Sequence, residues 1–273
     1  MSNKCWCGSS DYEAITRLAK NAKLKDCFQI IRCQNCGLAR TSPEPAEQEK
    51  GPGYYLGEED SSYRTGDLKI WYKFADRLLE IVKPYKKNGA LLDVGTNIGV
   101  LVDAAIKRGY DAKGMDICQS SIKDGQKLFN LPDKLLFLKL TEANFVDSFD
   151  VITYNHVLEH IKNINAELAA ANKALKTGGL ICIAVPNFDS IWRRILRNKW
   201  RGLAPEQHYW QFEQSSLEKI LRKNSFIILK TFKRRNTLYH LNFTPAGLIK
   251  ALLILLAKTF RQGDNLIILA QKI

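Results

Sequence analysis

The stretch Leu91-Leu92-Asp93-Val94-Gly95-Thr96-Asn97-Ile98-Gly99 constrains this chain more than any other. An apolar run ending on a glycine-bearing turn, followed by the helix-like VLVDAAIKR, reads as a buried strand that passes through a tight loop into a helix. Glycines, which lack Cβ atoms, let a ligand lie against the loop backbone, and the helix start offers unpaired N–H groups. Asp93 either orients that loop or accepts from an amino group of the ligand. Asp116 ends the next apolar run, AKGMD, where an acidic side chain can accept both hydroxyls of a ribose. The spacing Gly-x-Asn-x-Gly departs from Gly-x-Gly-x-x-Gly and argues against a nicotinamide dinucleotide. Asn97 tolerates left-handed backbone better than most residues.

Around this element short apolar runs alternate with helical periodicity. Leu68, Trp71, Tyr72, Ala75, Leu78, Leu79 and Val82 mark one helix face. Beyond it, ALLDV, AKGMD, KLLFLKL, FDVITYNHV and GLICIAVP read as strands, separated by SSIKDGQKLF, NAELAAANKAL and similar helices. Such alternation predicts a parallel sheet covered by helices on both faces. Towards the end SSLEKILRKN reads as a helix, and SFIILKTF and NLIILAQKI as strands. Between those strands lies an apolar helical insertion, about 244–261.

Seven cysteines without an apolar leader suggest metal or thiol chemistry in the cytoplasm rather than disulfides. Cys5-Trp-Cys7-Gly and Cys33-Gln-Asn-Cys36-Gly are paired knuckles, and the strand-like CFQIIRC would bring them together. Cys5, Cys7, Cys33 and Cys36 suit a tetrahedral Zn2+ site, with Cys27 an alternative ligand. The expected organisation is a zinc ribbon over 1–42, a linker or lid over 43–67 containing the Pro-rich TSPEPAEQEKGPG, and the main domain over 68–273. The apolar stretch Leu248–Phe260 is too short to span a bilayer and carries Lys250 and Lys258. A formal charge of +13 favours anionic partners.

In order and spacing, LLDVGTNIG, KGMDI, FDVITYNHVLEHI and LKTGGLICIAVPN resemble the motifs of class I S-adenosylmethionine-dependent methyltransferases. The resemblance implies a doubly wound, seven-stranded Rossmann-like α/β sheet. It also implies that Gly95 and Gly99 flank the methionine moiety, with Asp93 and Asn97 in the same loop. Asp116 and Ile117 would lie at the ribose, Asn155 and His156 beside the cofactor, and Glu142 near the adenine. VLEHI is typical of the small-molecule branch of this superfamily. The segment VPNFDSIWRRILRNKWRGLAPEQHYWQFEQSSLEKIL resembles methyltransferases of sugar, antibiotic and surface-polysaccharide biosynthesis.

In those enzymes a histidine before an aromatic-rich helix start lies in the acceptor cleft, which makes His208 the candidate general base, with Tyr209 and Glu206 to position it. The implied acceptor is a small molecule such as a nucleotide-linked or glycan sugar, methylated on oxygen. Tyr54, Tyr55 and Tyr63 either fold over the cofactor pocket or pack on the sheet edge. Other readings are a zinc-ribbon methyltransferase of ribosomal or transfer RNA and a non-catalytic zinc- and cofactor-binding protein. Ile191, Trp192, Ile195, Leu196 and Trp200 alternate with Arg193, Arg194, Arg197, Lys199 and Arg201 at helical spacing. Their basic face is either simply solvated or meets a diphosphate or an anionic lipid, the latter as peripheral contact at the inner face of the membrane.

Overall fold

The apolar runs become strands of one sheet. In a computed structural model, which describes residues 4–17, 28–45, 68–234 and 263–273, the chain begins with three antiparallel strands, β1 (Tyr12–Arg17), β2 (Gln29–Cys33) and β3 (Ala39–Ser42). Helix α1 (Leu68–Val82) leads into β4 (Gly89–Val94), α2 (Val100–Ile106), β5 (Tyr110–Asp116), α3 (Gln119–Phe129) and β6 (Leu135–Phe137). Next come β7 (Phe149–Asn155), α4 (Ile164–Ala174), β8 (Leu175–Pro186), the short α5 (Ile191–Leu196) and the two-residue β9 (Trp210–Gln211). Helix α6 (Gln214–Lys223) and strands β10 (Phe226–Arg234) and β11 (Asn265–Lys272) follow. Cys27, Tyr54, Tyr55, Tyr63 and the expected insertion helix about 244–261 lie outside the described residues.

The large sheet has the order β10-β11-β8-β7-β4-β5-β6. Strands β8, β7, β4, β5 and β6 are parallel, as the alternation predicts, whereas β11 runs antiparallel to both β8 and β10. The sheet is therefore mixed. Asn265 through Ala270 are all buried, so β11 is covered on both faces, and this is why its sequence is a continuous apolar run without alternation.

Alternating residues of the strands feed two apolar layers. Leu92, Ile152, Ile181 and Ile268 pack with Leu168 of α4 and Leu217 of α6, while Leu91, Val151, Leu180 and Ile267 pack with Leu78 of α1 and Leu101 of α2. Each such side chain taken from water stabilises by about 1.5–3 kcal/mol, so helices on both faces are what these strands require. After β6 the chain crosses to β7 on the other side of β4. This reversal opens a crevice beyond the carboxyl ends of β4 and β7, where ligands of open α/β sheets bind.

Three local features differ from the sequence reading. Strand β6 is shorter than KLLFLKL and ends in a 3-10 turn, Leu140–Glu142. The basic amphipathic segment is not one helix: α5 stops at Leu196, Arg197 takes φ 47, and 3-10 turns follow, with Trp192 and Trp200 buried and Ile195 exposed. The N-terminal strands also extend across the chain. They form a second sheet, β1-β2-β3-β9, in which Ala39 pairs with Gln211 and Arg40 with Trp210.

Candidate functional site

A cavity of about 980 Å³ opens at the switch point, at the upper end of the roughly 300–1,000 Å³ usual for ligand pockets. Its walls include Asp93, Gly95, Asn97, Asp116, Ile117, Asn155, His156 and His208, so residues far apart in sequence meet in one space. Sequence reasoning missed other parts of the wall. Trp71 and Phe74 come from the start of α1, Leu138 and Leu140 from the chain after β6, and Glu159 from the 3-10 turn Leu158–His160 after β7.

At one end the loop after β4 is fixed by the next strand. Gly95 and Thr96 donate backbone N–H bonds to the Met115 carbonyl at 2.8 and 3.0 Å. Gly95 takes φ +71, and a Cβ there would meet Val157 Cγ2 at 2.3 Å, so any side chain would close the cavity or push the backbone out. The Asp116 carboxylate accepts from the Asn97 and Cys118 amides, each at 2.8 Å. Asn97 Oδ1, in contrast, is buried without a hydrogen-bond partner among the described residues.

Asp93 is buried and accepts from the Thr153 hydroxyl at 2.7 Å. Burial raises its carboxyl to about 7, against the lowering effect of that hydroxyl. Gly99 lies just outside the wall. It opens α2 with φ 87, and a Cβ there would meet Leu135 Cδ2 at 2.7 Å, so close helix–strand packing leaves no room for a side chain at this position. Glu142 also lies off the wall, paired with Lys139 at 3.3 Å, while Leu138 through Thr141 face the cavity in its place.

The opposite end is built from histidines around a carboxylate. His208 is 7% exposed, and its Nδ1 lies 3.0 Å from the Gly202 carbonyl. A carbonyl only accepts, so Nδ1 carries the proton and Nε2 keeps its lone pair, the tautomer that a general base needs. Burial lowers the imidazole from its ordinary range, while the negative charge of Glu159 opposes that shift. The His160 ring stands edge-on to that of His208, with centroids 4.7 Å apart, and its Nδ1 faces the Gln207 carbonyl at 3.2 Å.

Glu159 is fully buried and bonded to His156 Nδ1 at 3.3 Å. Burial pushes its carboxyl up, but the His156 bond and the charges of all three imidazoles outweigh it and hold the group below the usual carboxylate range. Ligand atoms of Glu159, His160 and His208 fall within 4.8 Å of one another, a donor set that also suits a divalent cation. His208 does not cap the following helix, whose N-cap is Glu213.

Off the cavity wall, the four expected cysteines converge, their sulfurs all within 4.8 Å. Cys5 and Cys36 sulfurs are 3.5 Å apart and those of Cys7 and Cys33 are 3.7 Å apart, far beyond a disulfide bond. A tetrahedral zinc with Zn–S bonds of about 2.3 Å sets its sulfurs about 3.8 Å apart, so the cluster has the dimensions of that ion. Backbone N–H bonds from Gly8 to Cys5 and from Gly37 to Cys33, both 2.9 Å, close the two knuckles.

The sheet order and the acidic loop-and-strand site define a class I, Rossmann-like fold of the S-adenosylmethionine-dependent methyltransferases. Residues 65–231 match the family described as Methyltransferase domain, and the chain belongs to that family. Curated relatives include the ubiquinone biosynthesis O-methyltransferases of Idiomarina loihiensis, 32% identical over 43% of this chain and 48% of the relative, and of Psychrobacter arcticus, 31% identical over 36% and 40%. The chain thus spans less than half the length of either. Among solved structures, the 1,6-didemethyltoxoflavin-N1-methyltransferase of Burkholderia thailandensis, with bound 1,6-didemethyltoxoflavin and S-adenosylhomocysteine, superposes with a TM-score of 0.57 over 94% of this chain and 98% of its own at 14% identity. An S-adenosylmethionine-dependent methyltransferase of Archaeoglobus fulgidus also gives 0.57, over 80% and 100%, at 19% identity. These structures share the fold. Among the described residues no helix is long and apolar enough to cross a membrane.

Proposed function

We propose that this chain transfers the methyl group of S-adenosylmethionine to a hydroxyl oxygen of a small acceptor, with His208 taking the proton. The observation that carries the reading is a single cavity holding the Gly95–Asn97 loop and Asp116 at one end and His208, with a free Nε2 lone pair, at the other. The cofactor supplies an electrophilic sulfonium methyl. Asp116, already steadied by two loop amides, accepts the ribose hydroxyls, Asn97 Oδ1 takes a donor it otherwise lacks, and Leu138, Leu140 and Ile117 form an apolar wall for the adenine. Asn155 and His156 flank the cofactor at the end of β7. His208 accepts the hydroxyl proton as the oxygen attacks, and buried Glu159 stabilises the resulting imidazolium.

The histidine-bearing segment suggests a nucleotide-linked or glycan sugar as acceptor, the names of the curated relatives suggest a phenol, and Arg201 on the rim suits an anionic group on either. Calorimetric titration with S-adenosylmethionine, followed by S-adenosylhomocysteine release against panels of sugars, phenols and short RNAs, tests the reading. Turnover with RNA alone would overturn it.

Cys5, Cys7, Cys33 and Cys36 are proposed to hold one structural Zn2+, on the strength of their spacing in three dimensions. Elemental analysis is expected to find about one zinc per chain, and a Cys33→Ser, Cys36→Ser variant is expected to lose it. A metal-free parent would refute the site.

Asp93 adds a pH signature. Its carboxyl is raised in the folded state, so between about pH 4 and 7 the folded protein binds more protons than the unfolded chain. This contribution makes stability fall as pH rises through that window and level off above about 7. The difference in melting temperature between the parent and Asp93→Asn is expected to grow in favour of the variant from pH 4 to 7. Affinity for S-adenosylmethionine should move the other way, because the ligand's amino group favours the carboxylate. A difference independent of pH would remove Asp93 from both roles.

A further inference from the structure

We infer that the four-cysteine module positions the acceptor end of the methyl-transfer cavity, through Thr41 and the β3–β9 ladder, and leaves the cofactor end independent of it. Thr41 is fully buried, and it bonds to two successive carbonyls of the chain. Its hydroxyl donates to the His208 carbonyl at 2.6 Å, and its own N–H donates to the Tyr209 carbonyl at 3.0 Å. One residue further along, Arg40 pairs with Trp210 and Ala39 with Gln211. The stretch immediately after His208 is thus an added strand of the cysteine-bearing sheet.

Two further backbone bonds fix this stretch, from the Tyr209 N–H to the Glu159 carbonyl at 2.9 Å and from the His208 N–H to the Ala204 carbonyl at 2.8 Å. Thr41 and Glu159 therefore hold the His208 peptide between them. Two residues give too short a strand to persist unaided, so β9 exists because β3 is held beside it. Strand β3 is held in turn by β2, which ends on Cys33, and by the Cys36 knuckle, where the Cys33 N–H donates to the Leu38 carbonyl at 2.9 Å. Further ties run from the module to the main domain. Arg32 meets Glu213 at 2.6 Å, and Asn165 of α4 donates to the Trp6 carbonyl at 2.9 Å. At the cofactor end, the Gly95 and Thr96 N–H groups donate to the Met115 carbonyl of β5, and the Asp116 carboxylate accepts from the Asn97 and Cys118 amides.

Thr41 is therefore a positioning residue for His208. This reading uses the cavity proposed above, but its test reads position rather than catalysis, so it stands or falls apart from the base assignment. The full-length protein is compared with Thr41→Val, which keeps shape and removes the hydroxyl, and with Thr41→Ser, which restores it. Three readouts need no acceptor: S-adenosylmethionine affinity by calorimetry, amide exchange at Thr41 and Tyr209, and the His208 ring resonances, assigned with a His208→Gln variant. The ring titration also feels Glu159, His156 and His160. It is compared only between variants that keep them.

In Thr41→Val, exchange at both amides is expected to rise about tenfold or more, since a buried carbonyl loses its donor. The His208 resonances should shift, and cofactor affinity should stay within about twofold of the parent. Thr41→Ser should return all three to parent values. A chelator strong enough to strip zinc is expected to reproduce the Thr41→Val pattern, and this arm alone rests on the zinc proposal. Parent-like exchange and resonances in Thr41→Val would overturn the inference. Cofactor binding lost in step with the His208 signal would overturn it as well, because the two ends would then be one unit.

Discussion

Replacing His208 by Ala is expected to lower the turnover number by about 10²–10⁴-fold, the usual contribution of a positioned general base, while S-adenosylmethionine affinity stays near that of the parent. The separation follows from the separate supports, because His208 is held by the Gly202 carbonyl and Asp116 by the Asn97 and Cys118 amides. The pH profile sharpens the test. A base must be deprotonated to work, and burial lowers the His208 imidazole from its ordinary range, so the parent's turnover should already be on its plateau at neutral pH and fall only in more acidic solution. In the variant that acidic limb should disappear. Glu159, His160 and His208 are also a plausible donor set for a cation, so the comparison is made with EDTA and with Mg2+ restored. A rate that survives His208→Ala would end the base assignment, and a rate abolished by EDTA and recovered by Mg2+ alone would move the role from proton acceptance to ligation.

The second large effect is expected at Asp116. A carboxylate accepting two ribose hydroxyls makes charge-assisted bonds worth about 1.5–3 kcal/mol each, so Asp116→Ala should weaken S-adenosylmethionine binding by about 10²–10³-fold or more. The same substitution orphans the amides of Asn97 and Cys118, which loosens the loop and adds to the loss. Asp116→Asn, which keeps one acceptor oxygen, should fall between. At saturating cofactor the turnover number should recover, which distinguishes loss of binding from loss of chemistry. Calorimetry showing both variants within about twofold of the parent would mean that the ribose lies elsewhere.

The loop after β4 was readable because each of its structural requirements leaves a residue type in sequence. A buried strand needs LLDV, a loop that approaches Val157 needs Gly95, and the Asn97 and Cys118 amides need an acceptor such as Asp116. The convergence of the four cysteines was readable for the same reason, since paired Cys and tight Gly turns at short spacing are what a metal knuckle requires. What orients His208 was not readable. The Gly202 carbonyl is backbone, which every residue carries, and Tyr209 and Glu206 looked the better candidates by side chain alone. Strand β9 escaped because two residues carry no alternation, and its partner lies far away in sequence. The buried Glu159 was hidden inside an ordinary-looking VLEHI, since only the fold places three imidazoles around it. The antiparallel direction of β11 was equally silent: a strand buried on both faces has the same apolar sequence in either sense.

The union of β3 with β9 also sets a timetable for making the protein. Thr41 and His208 are 167 residues apart. At about 5–20 residues per second, the N-terminal sheet leaves the ribosome roughly 10–30 s before the strand that completes it. During that interval the edge of β3, with its buried Ala39 and Thr41, is an open row of backbone donors and acceptors of the kind that pairs with other chains. If the knuckles hold the proposed zinc, early capture of the metal would keep that edge short and in register while it waits, and zinc supply would then bear on how much chain reaches the native state.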